Sequence, residues 1–443
     1  MTDTLVVRGG HVLTLDPQLG TVDADIRVDN GVVTDIRPGL DVPGARVVDA
    51  TGSLVVPGLI DTHRHMWEAA LRGTGADDSL DDYFTFTIGT AAPLVDPETV
   101  YVGELLSACA ALDAGVTTVQ DIANIHDTSE HSDAAADALR ASGLRTVLAY
   151  GHSPSSRHTD APAPGALSRD AERMRNRLAA DGQGLLTMAL AADARTDEAV
   201  TANWRLAAEL DVPVAMHAMR RPGDEPPLER LARLGVLRDR VTYIHATGYT
   251  AEDLARVRDT GGHLSIAPLI ELLMGHGYPP VLDALDAGLP PSLSTDVEVT
   301  VPGDMFTQMR TALAVARHAG YTRAAAPGDG RPDSPRVTVA QALEMATVEG
   351  ARALGMEDRI GSLGVGKQAD LLVLSTDRPG MRPVHDPTAT VVLQAERGDV
   401  DTVVVGGRVV KEHGKLLHVR LDRLYERAAA VLHRLATAHA LDR

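Results

Sequence analysis

Apolar residues along the middle of the chain alternate between two rhythms, and that alternation predicts a repeating strand and helix architecture. Short apolar runs suited to strands occupy residues 55 to 62, 116 to 120, 145 to 150, 185 to 191, 212 to 216, 241 to 245, 263 to 267 and 291 to 295. Between several of them apolar positions recur at helical spacing, as in Val100 to Leu112, Ser132 to Leu139, Arg169 to Leu178 and Ala251 to Val257. Eight strands with interposed helices are the count of a parallel (β/α)8 barrel of the TIM type.

The two ends of the chain follow a different pattern. From Leu5-Val6-Val7 to Val47-Val48 the strands are short and alternating, with turn signals at Gly9-Gly10 and Asp29-Asn30-Gly31. The same style returns in Leu371 to Leu374 and Val403 to Val410. Neither end has enough strands for a stable sheet alone, so one small β-sandwich built from both termini is expected, with the barrel inserted between them. The expected boundaries are 1–56 and 359–415 for the two sandwich parts and 57–358 for the barrel. The amphipathic stretch Leu421 to Ala438, within 416–443, reads as a terminal helix that packs outside the barrel or at a subunit contact, as in a homo-oligomer. Residues 154 to 168 and 323 to 334 read as loops. Residues 66 to 90 are too long for an ordinary connection and gather Trp67, Tyr83, Phe84 and Phe86, which suggests a wall or lid at the barrel mouth.

Charge narrows the partners. A formal net charge of −19 disfavours nucleic acid and anionic membranes, both of which reward basic patches, and leaves small molecules as the expected ligands. The chain shows no signal peptide pattern and no apolar run near the ~18 residues of a spanning helix, so a cytoplasmic protein is expected. Cys109 is the single cysteine. It allows neither an intrachain disulfide nor a thiolate metal site, and its apolar neighbours Leu105, Leu106, Ala108 and Leu112 make it a core residue.

The strand ends carry the candidate chemistry. The first barrel strand closes on His63-Arg64-His65, and since side chains alternate along a strand, both imidazoles share a face while Arg64 points opposite. Three later runs lead into His217, His245 and Asp296. Residues so placed converge only when parallel strands close into a barrel, whose C-terminal end holds the active site.

With these residues in view, the chain resembles the amidohydrolase superfamily, in particular the branch of cytosine and guanine deaminases and triazine chlorohydrolases. The matching pieces are Pro57 to His65, Leu71-Arg72-Gly73, Asp113 to Thr118, His217, His245, Ser294-Thr295-Asp296 and Gly361 to Leu371, in the family's order over nearly the whole chain. The resemblance implies that His63, His65, His217 and Asp296 ligate a divalent metal and that His245 lies beside the water and substrate. Two-metal members bridge their ions with a carboxylated lysine on the fourth strand. Leu185 to Ala191 has none, which implies one metal per chain. Three imidazoles and a carboxylate suit Zn2+ first, with Fe2+ or Mn2+ as alternatives. A water made nucleophilic at neutral pH would attack a carbon bearing nitrogen, with Asp296 taking its proton and His245 stabilising the developing charge.

One position departs from the pattern. The resemblance implies a proton-shuttling Glu three residues after the fifth-strand His, and Arg220 stands there. Glu271, which interrupts an apolar run at the end of the seventh strand, is the candidate replacement, as proton shuttle or substrate anchor. Trp67, Arg72 and His276 are the candidates for substrate binding; His126, His152, Asp193 and Arg195 also follow strands, where a structural role is the commoner one. The expected activity is metal-dependent hydrolysis of a non-peptide C–N bond in a small nitrogen-rich molecule, of deaminase or amidine hydrolase type. A lyase or dehydratase using the same metal is the alternative, and an inactive scaffold the third reading.

Overall fold

A computed structural model describes residues 4–153, 165–180, 184–193, 196–325 and 335–441, with side chains to residue 435. Most of the loop expected at 154 to 168, most of that at 323 to 334, and Arg195 lie outside them. The strands at the N-terminal end are β1 (Thr4–Leu13), β2 (Thr21–Asp29), β3 (Val32–Arg37), β4 (Arg46–Asp49) and β5 (Leu54–Pro57). The barrel follows with β6 (Leu59–Arg64), β7 (Val116–Asn124), β8 (Arg145–Gly151), β9 (Leu186–Ala191), β10 (Val214–His217), β11 (Val241–Ile244), β12 (His263–Ile266) and β13 (Ser292–Leu293). The C-terminal part adds β14 (Leu371–Leu374), β15 (Val400–Val405), β16 (Arg408–Glu412) and β17 (Lys415–Leu416).

The eight barrel strands pair in parallel and in sequence order from β6 to β13. The ends meet where the backbone of Asp296 bonds that of His63 and His65, at 2.9 and 3.0 Å. Closure therefore occurs at the first and last of the chemically interesting residues. Both faces of these strands are covered, and runs such as Val116–Ala123 and Arg145–Gly151 are buried throughout, as a parallel sheet packed inside and out requires.

The strands of the two termini join one mixed sheet in the order β17-β16-β15-β14-β5-β1-β2-β3, with β4 on β1. Leu5, Val7, Ile26, Val28, Val55, Leu371, Val373, Val404 and Val409 pack in one core within it. Arg145 of β8 forks onto Asp370 at 2.7 and 3.0 Å, both side chains buried, and so pins this sheet to the barrel.

The apolar run expected as one strand over 55 to 62 is two. Val55 and Val56 pair with Val373 and Leu372 of the terminal sheet, and the chain enters the barrel only at Leu59. Gly58 makes the transfer possible. A β-carbon there would lie 2.0 Å from Thr117 Oγ1 on β7, so only glycine lets the two backbones approach. Gly58→Val is expected to cost at least about 3 kcal/mol, measured as a fall in denaturant midpoint. An unchanged midpoint would mean that β6 and β7 can separate there freely.

The stretch from 66 to 90 is largely helical rather than irregular. A 3-10 helix spans Met66–Leu71, a short helix Leu80–Tyr83 starts on a Ser79/Asp82 capping box, and a π-helix Phe84–Ala91 continues it. The terminal helix Leu421–Leu441 lies on the barrel helix Pro97–Asp113, burying Leu424, Val431 and Leu435 and pairing Arg427 with Glu98 at 2.8 Å. Cys109 is buried, which pushes its thiol up to about 12 and leaves it inert. Among the described residues no helix is long and apolar enough to cross a membrane.

Candidate active site

Four imidazoles and one carboxylate from four strand ends meet at the C-terminal mouth of the barrel. Asp296 Oδ1 lies 2.8 Å from His63 Nε2 and 3.6 Å from His65 Nε2, and its Oδ2 lies 3.6 Å from His245 Nε2. The His217 ring centroid is 5.0 Å from that of His63 and 5.5 Å from that of His65, with which it stacks. Ligand atoms of His63, His217 and His245 lie within 4.8 Å of one another, as do those of His63, His65 and Asp296. Two of these residues carry backbone strain: His245 and Asp296 have φ of 70° and 67°, in the left-handed region that residues with a β-carbon rarely adopt. That turn sits at the exit of a strand, where an extended residue would continue the alternation.

In three of the four rings the nitrogen facing away from the centre is held from behind. His65 Nδ1 meets the carbonyl of Ile122 at 3.0 Å and Asn124 Oδ1 at 3.1 Å, His217 Nδ1 meets Asp193 Oδ2 at 2.5 Å, and His245 Nδ1 meets Glu271 Oε1 at 3.0 Å. Each partner accepts a hydrogen, which fixes the tautomer so that the Nε2 lone pair points inward. Burial keeps three of these rings neutral, pushing His63 down to about 3 and His65 and His245 down to about 4, against the upward pull of Asp296. For His217 burial is outweighed by Asp193, which raises its basicity. Burial would likewise raise Asp296, but His63, His245 and His65 hold its carboxyl well below the ordinary range. Inward Nε2 atoms around an ionised carboxylate are a donor set that fits one divalent cation.

Behind the centre, Arg64 is fully buried, as the alternation of the strand directs, with its Nε on Asp61 Oδ2 at 2.9 Å and on Thr295 Oγ1 at 3.0 Å. Glu271 is also fully buried. It accepts the Ala267 N–H at 2.9 Å, reaching back to cap its own short helix Pro268–Leu273, and presents the same oxygen to His245. It therefore stands at the outer edge of the His245 ring, and burial pushes its carboxyl well above the ordinary range.

The substrate-binding candidates have separate fates. His276 packs its ring 4.7 Å from that of His245, and burial lowers it to about 3. Trp67 is buried and donates its indole N–H to Asn124 Oδ1 at 3.0 Å, so it steadies the residue that orients His65. Arg72 is not brought to the cluster: it pairs with Glu298 at 2.7 Å and lines a separate cavity of about 190 Å³ with Asp304 and Arg397. Arg220 is tied to Asp253 at 2.8 Å and Glu229 at 3.0 Å. His152 bonds the His126 carbonyl and the Ser168 N–H with its two ring nitrogens, a structural arrangement.

Two residues escaped the sequence reading. Asn124 ends β7 and is polar where the strand leaves the core, a weak signal. Glu68, fully buried in the apolar helix Met66–Leu71, accepts the Tyr83 hydroxyl at 2.6 Å; a lone acid inside an apolar stretch is the same signal that singled out Glu271.

Known proteins share this architecture. The model of the Amidohydrolase family matches residues 54–410. The 5-methylthioadenosine/S-adenosylhomocysteine deaminase of Symbiobacterium thermophilum is 30% identical over 424 residues, 93% of this chain and 94% of that protein. The 5'-deoxyadenosine deaminase of Methanosarcina acetivorans is 28% identical, covering 96% of each. Among solved structures, an adenosine deaminase from Xanthomonas campestris with bound zinc superposes with a TM-score of 0.83 at 26% identity, over 98% of both chains. The zinc complex of atrazine chlorohydrolase from Arthrobacter aurescens, at 23% identity over 97% of this chain and 100% of that one, shares the fold with a TM-score of 0.79.

Proposed function

Because the chain belongs to the amidohydrolase family, we propose that it is a one-metal deaminase that releases the exocyclic amino group of an aminopurine nucleoside as ammonia. It is a hydrolase of carbon–nitrogen bonds other than peptide bonds. The observation that carries the finer reading is the ring of inward Nε2 atoms around Asp296. His63, His65, His217 and Asp296 would hold the ion, and three nitrogens with one oxygen favour zinc. A divalent cation there supplies a water of lowered pKa, near 7 on catalytic zinc.

The protein's own groups do the rest. Asp296 is ionised and accepts the proton of the attacking water at Oδ2. His245 Nε2 lies 3.6 Å from that oxygen and provides the next station from which the leaving nitrogen is protonated. Neutral His245, with Nδ1 committed to Glu271, is poised to take a proton at Nε2 and no other atom. His276 closes over the same ring. The names of the relatives, which specify 5-methylthioadenosine, S-adenosylhomocysteine and 5'-deoxyadenosine, support a 6-aminopurine nucleoside as substrate.

Incubation with adenosine and 5'-deoxyadenosine in isotopically labelled water is the test. Ammonia and a product carrying one solvent oxygen are expected, together with about one metal per chain by elemental analysis. Metal-loaded protein that releases no ammonia from any aminopurine nucleoside would refute the reading. Turnover without solvent oxygen would instead support the lyase.

A further inference from the structure

We propose that Glu68 supplies the carboxyl group that hydrogen-bonds the nitrogen edge of the substrate beside the reacting carbon, a role that rests on the deaminase reading above. Glu68 lies one turn beyond His65, and its backbone N–H donates to the His65 carbonyl at 3.2 Å. Its side chain is fully buried. Oε1 is occupied by the Tyr83 hydroxyl at 2.6 Å, while Oε2, equally buried, has no partner.

A buried carboxyl oxygen left without a hydrogen bond costs about 1–3 kcal/mol. Two other buried acids on this side are neutralised, Asp61 by Arg64, and Glu298 by Arg72 with the Ser107 hydroxyl, whereas Glu104 and Asp121 lie beside each other further behind, also with unpartnered oxygens. Among the described residues Glu68 has no basic neighbour of that kind. The charged groups that act on it are Asp296 of the catalytic centre and Glu298, both acids, and together with burial they raise its carboxyl well above the ordinary range. The group is thus within electrostatic reach of the centre, anchored at one oxygen and free at the other.

An aminopurine presents a matching edge, a ring nitrogen next to the carbon that bears the amino group. The family resemblance puts a Glu on that edge from position 220, where this chain has Arg220 engaged with Asp253 and Glu229. Glu68 provides a carboxyl from the loop after the first strand in its place. Tyr83, on the helix that follows, fixes the carboxyl plane through Oε1.

The test is ligand binding by calorimetry to metal-loaded protein, with purine riboside and 1-deazapurine riboside, which lacks the ring nitrogen. Glu68→Leu should weaken purine riboside roughly 10- to 100-fold, the worth of a hydrogen bond to a buried polar group, and leave the deaza ligand unchanged. Glu68→Gln, which retains a donor, should stay within about 5-fold for both. Equal weakening of the two ligands, or none, in a Leu variant with full metal and native melting overturns the inference. If that variant fails to fold, Tyr83→Phe replaces it, with a several-fold loss expected for purine riboside alone; no selective loss is again a refutation. Wild-type protein that deaminates adenosine while the variants show no selectivity isolates the failure to Glu68. Wild-type protein that neither binds nor deaminates these nucleosides fails the deaminase reading and the inference together.

Discussion

Asp296→Asn is expected to lower turnover by about 10⁴-fold or more and to strip most of the metal, while leaving the fold intact. The choice of asparagine matters. Asp296 sits at a φ of 67°, a conformation that Asn tolerates as well as Asp and that alanine resists. Its backbone bonds to His63 and His65, which close the barrel, do not involve the side chain. The substitution therefore removes charge and leaves the strand exit in place. What is lost is the only carboxylate among the described residues that touches His63 and also lies within 3.6 Å of His65 and His245. Four imidazoles would remain with no carboxylate in their midst, a poor site for a divalent cation and no site for the water's proton. Elemental analysis and turnover measured on the same preparation check the expectation. Substantial activity in a variant with full metal would show that proton transfer does not pass through Asp296, and would move that duty to His245.

The positions of the metal-binding candidates were legible because each follows an apolar run, and a barrel converts that one-dimensional regularity into convergence at its mouth. Arg64 was legible for the same reason, since alternation sends it to the opposite face, where it lies buried against Asp61 and Thr295. The boundary between terminal sheet and barrel was not, because Val55 to Ile60 is unbroken in hydrophobicity and both sheets want such residues. The change of sheet is marked only by Gly58, whose need for glycine arises from Thr117, far away in sequence. The helices within 66 to 91 were hidden for another reason. Their caps and their tie to the Met274 carbonyl through the Leu80 N–H are local or long-range details rather than periodic ones.

The supporting layer was the least legible part. Asp193, Asn124 and Glu271 act on His217, His65 and His245 across gaps of 24, 59 and 26 residues, and no spacing rule joins them. Arg72 shows the opposite error. It stands in a motif beside the metal pair, yet its guanidinium goes to Glu298, so proximity in sequence did not carry it into the centre. Buried carboxyls are nevertheless informative as a class. Those that neutralise an arginine, Asp61 and Glu298, belong to the frame. Asp296 and Glu271 instead meet imidazoles of the centre, where charge is placed for function rather than stability.

Glu271, read from the sequence as proton shuttle or substrate anchor, lies behind His245, and its substitutions are expected to rank in a definite order. If it moves a proton itself, Gln and Leu variants should both lose roughly 10² to 10⁴ in turnover, since neither can exchange one. The geometry supports positioning instead, with Oε1 shared between His245 Nδ1 at 3.0 Å and the Ala267 N–H at 2.9 Å. The Ala267 donor would hold a glutamine with its carbonyl oxygen inward, so Glu271→Gln keeps both hydrogen bonds, the helix cap and the His245 tautomer. It should retain turnover within about tenfold. Glu271→Leu keeps none of these and frees the ring to take the wrong tautomer, with an expected fall of roughly 10² in kcat and little change in KM or metal content. A large loss in the glutamine variant, equal to that in leucine, would return Glu271 to the role of shuttle. The ordering also bears on chemistry beyond this residue, because only a His245 held neutral with Nε2 inward can receive a proton on the side where Asp296 delivers it.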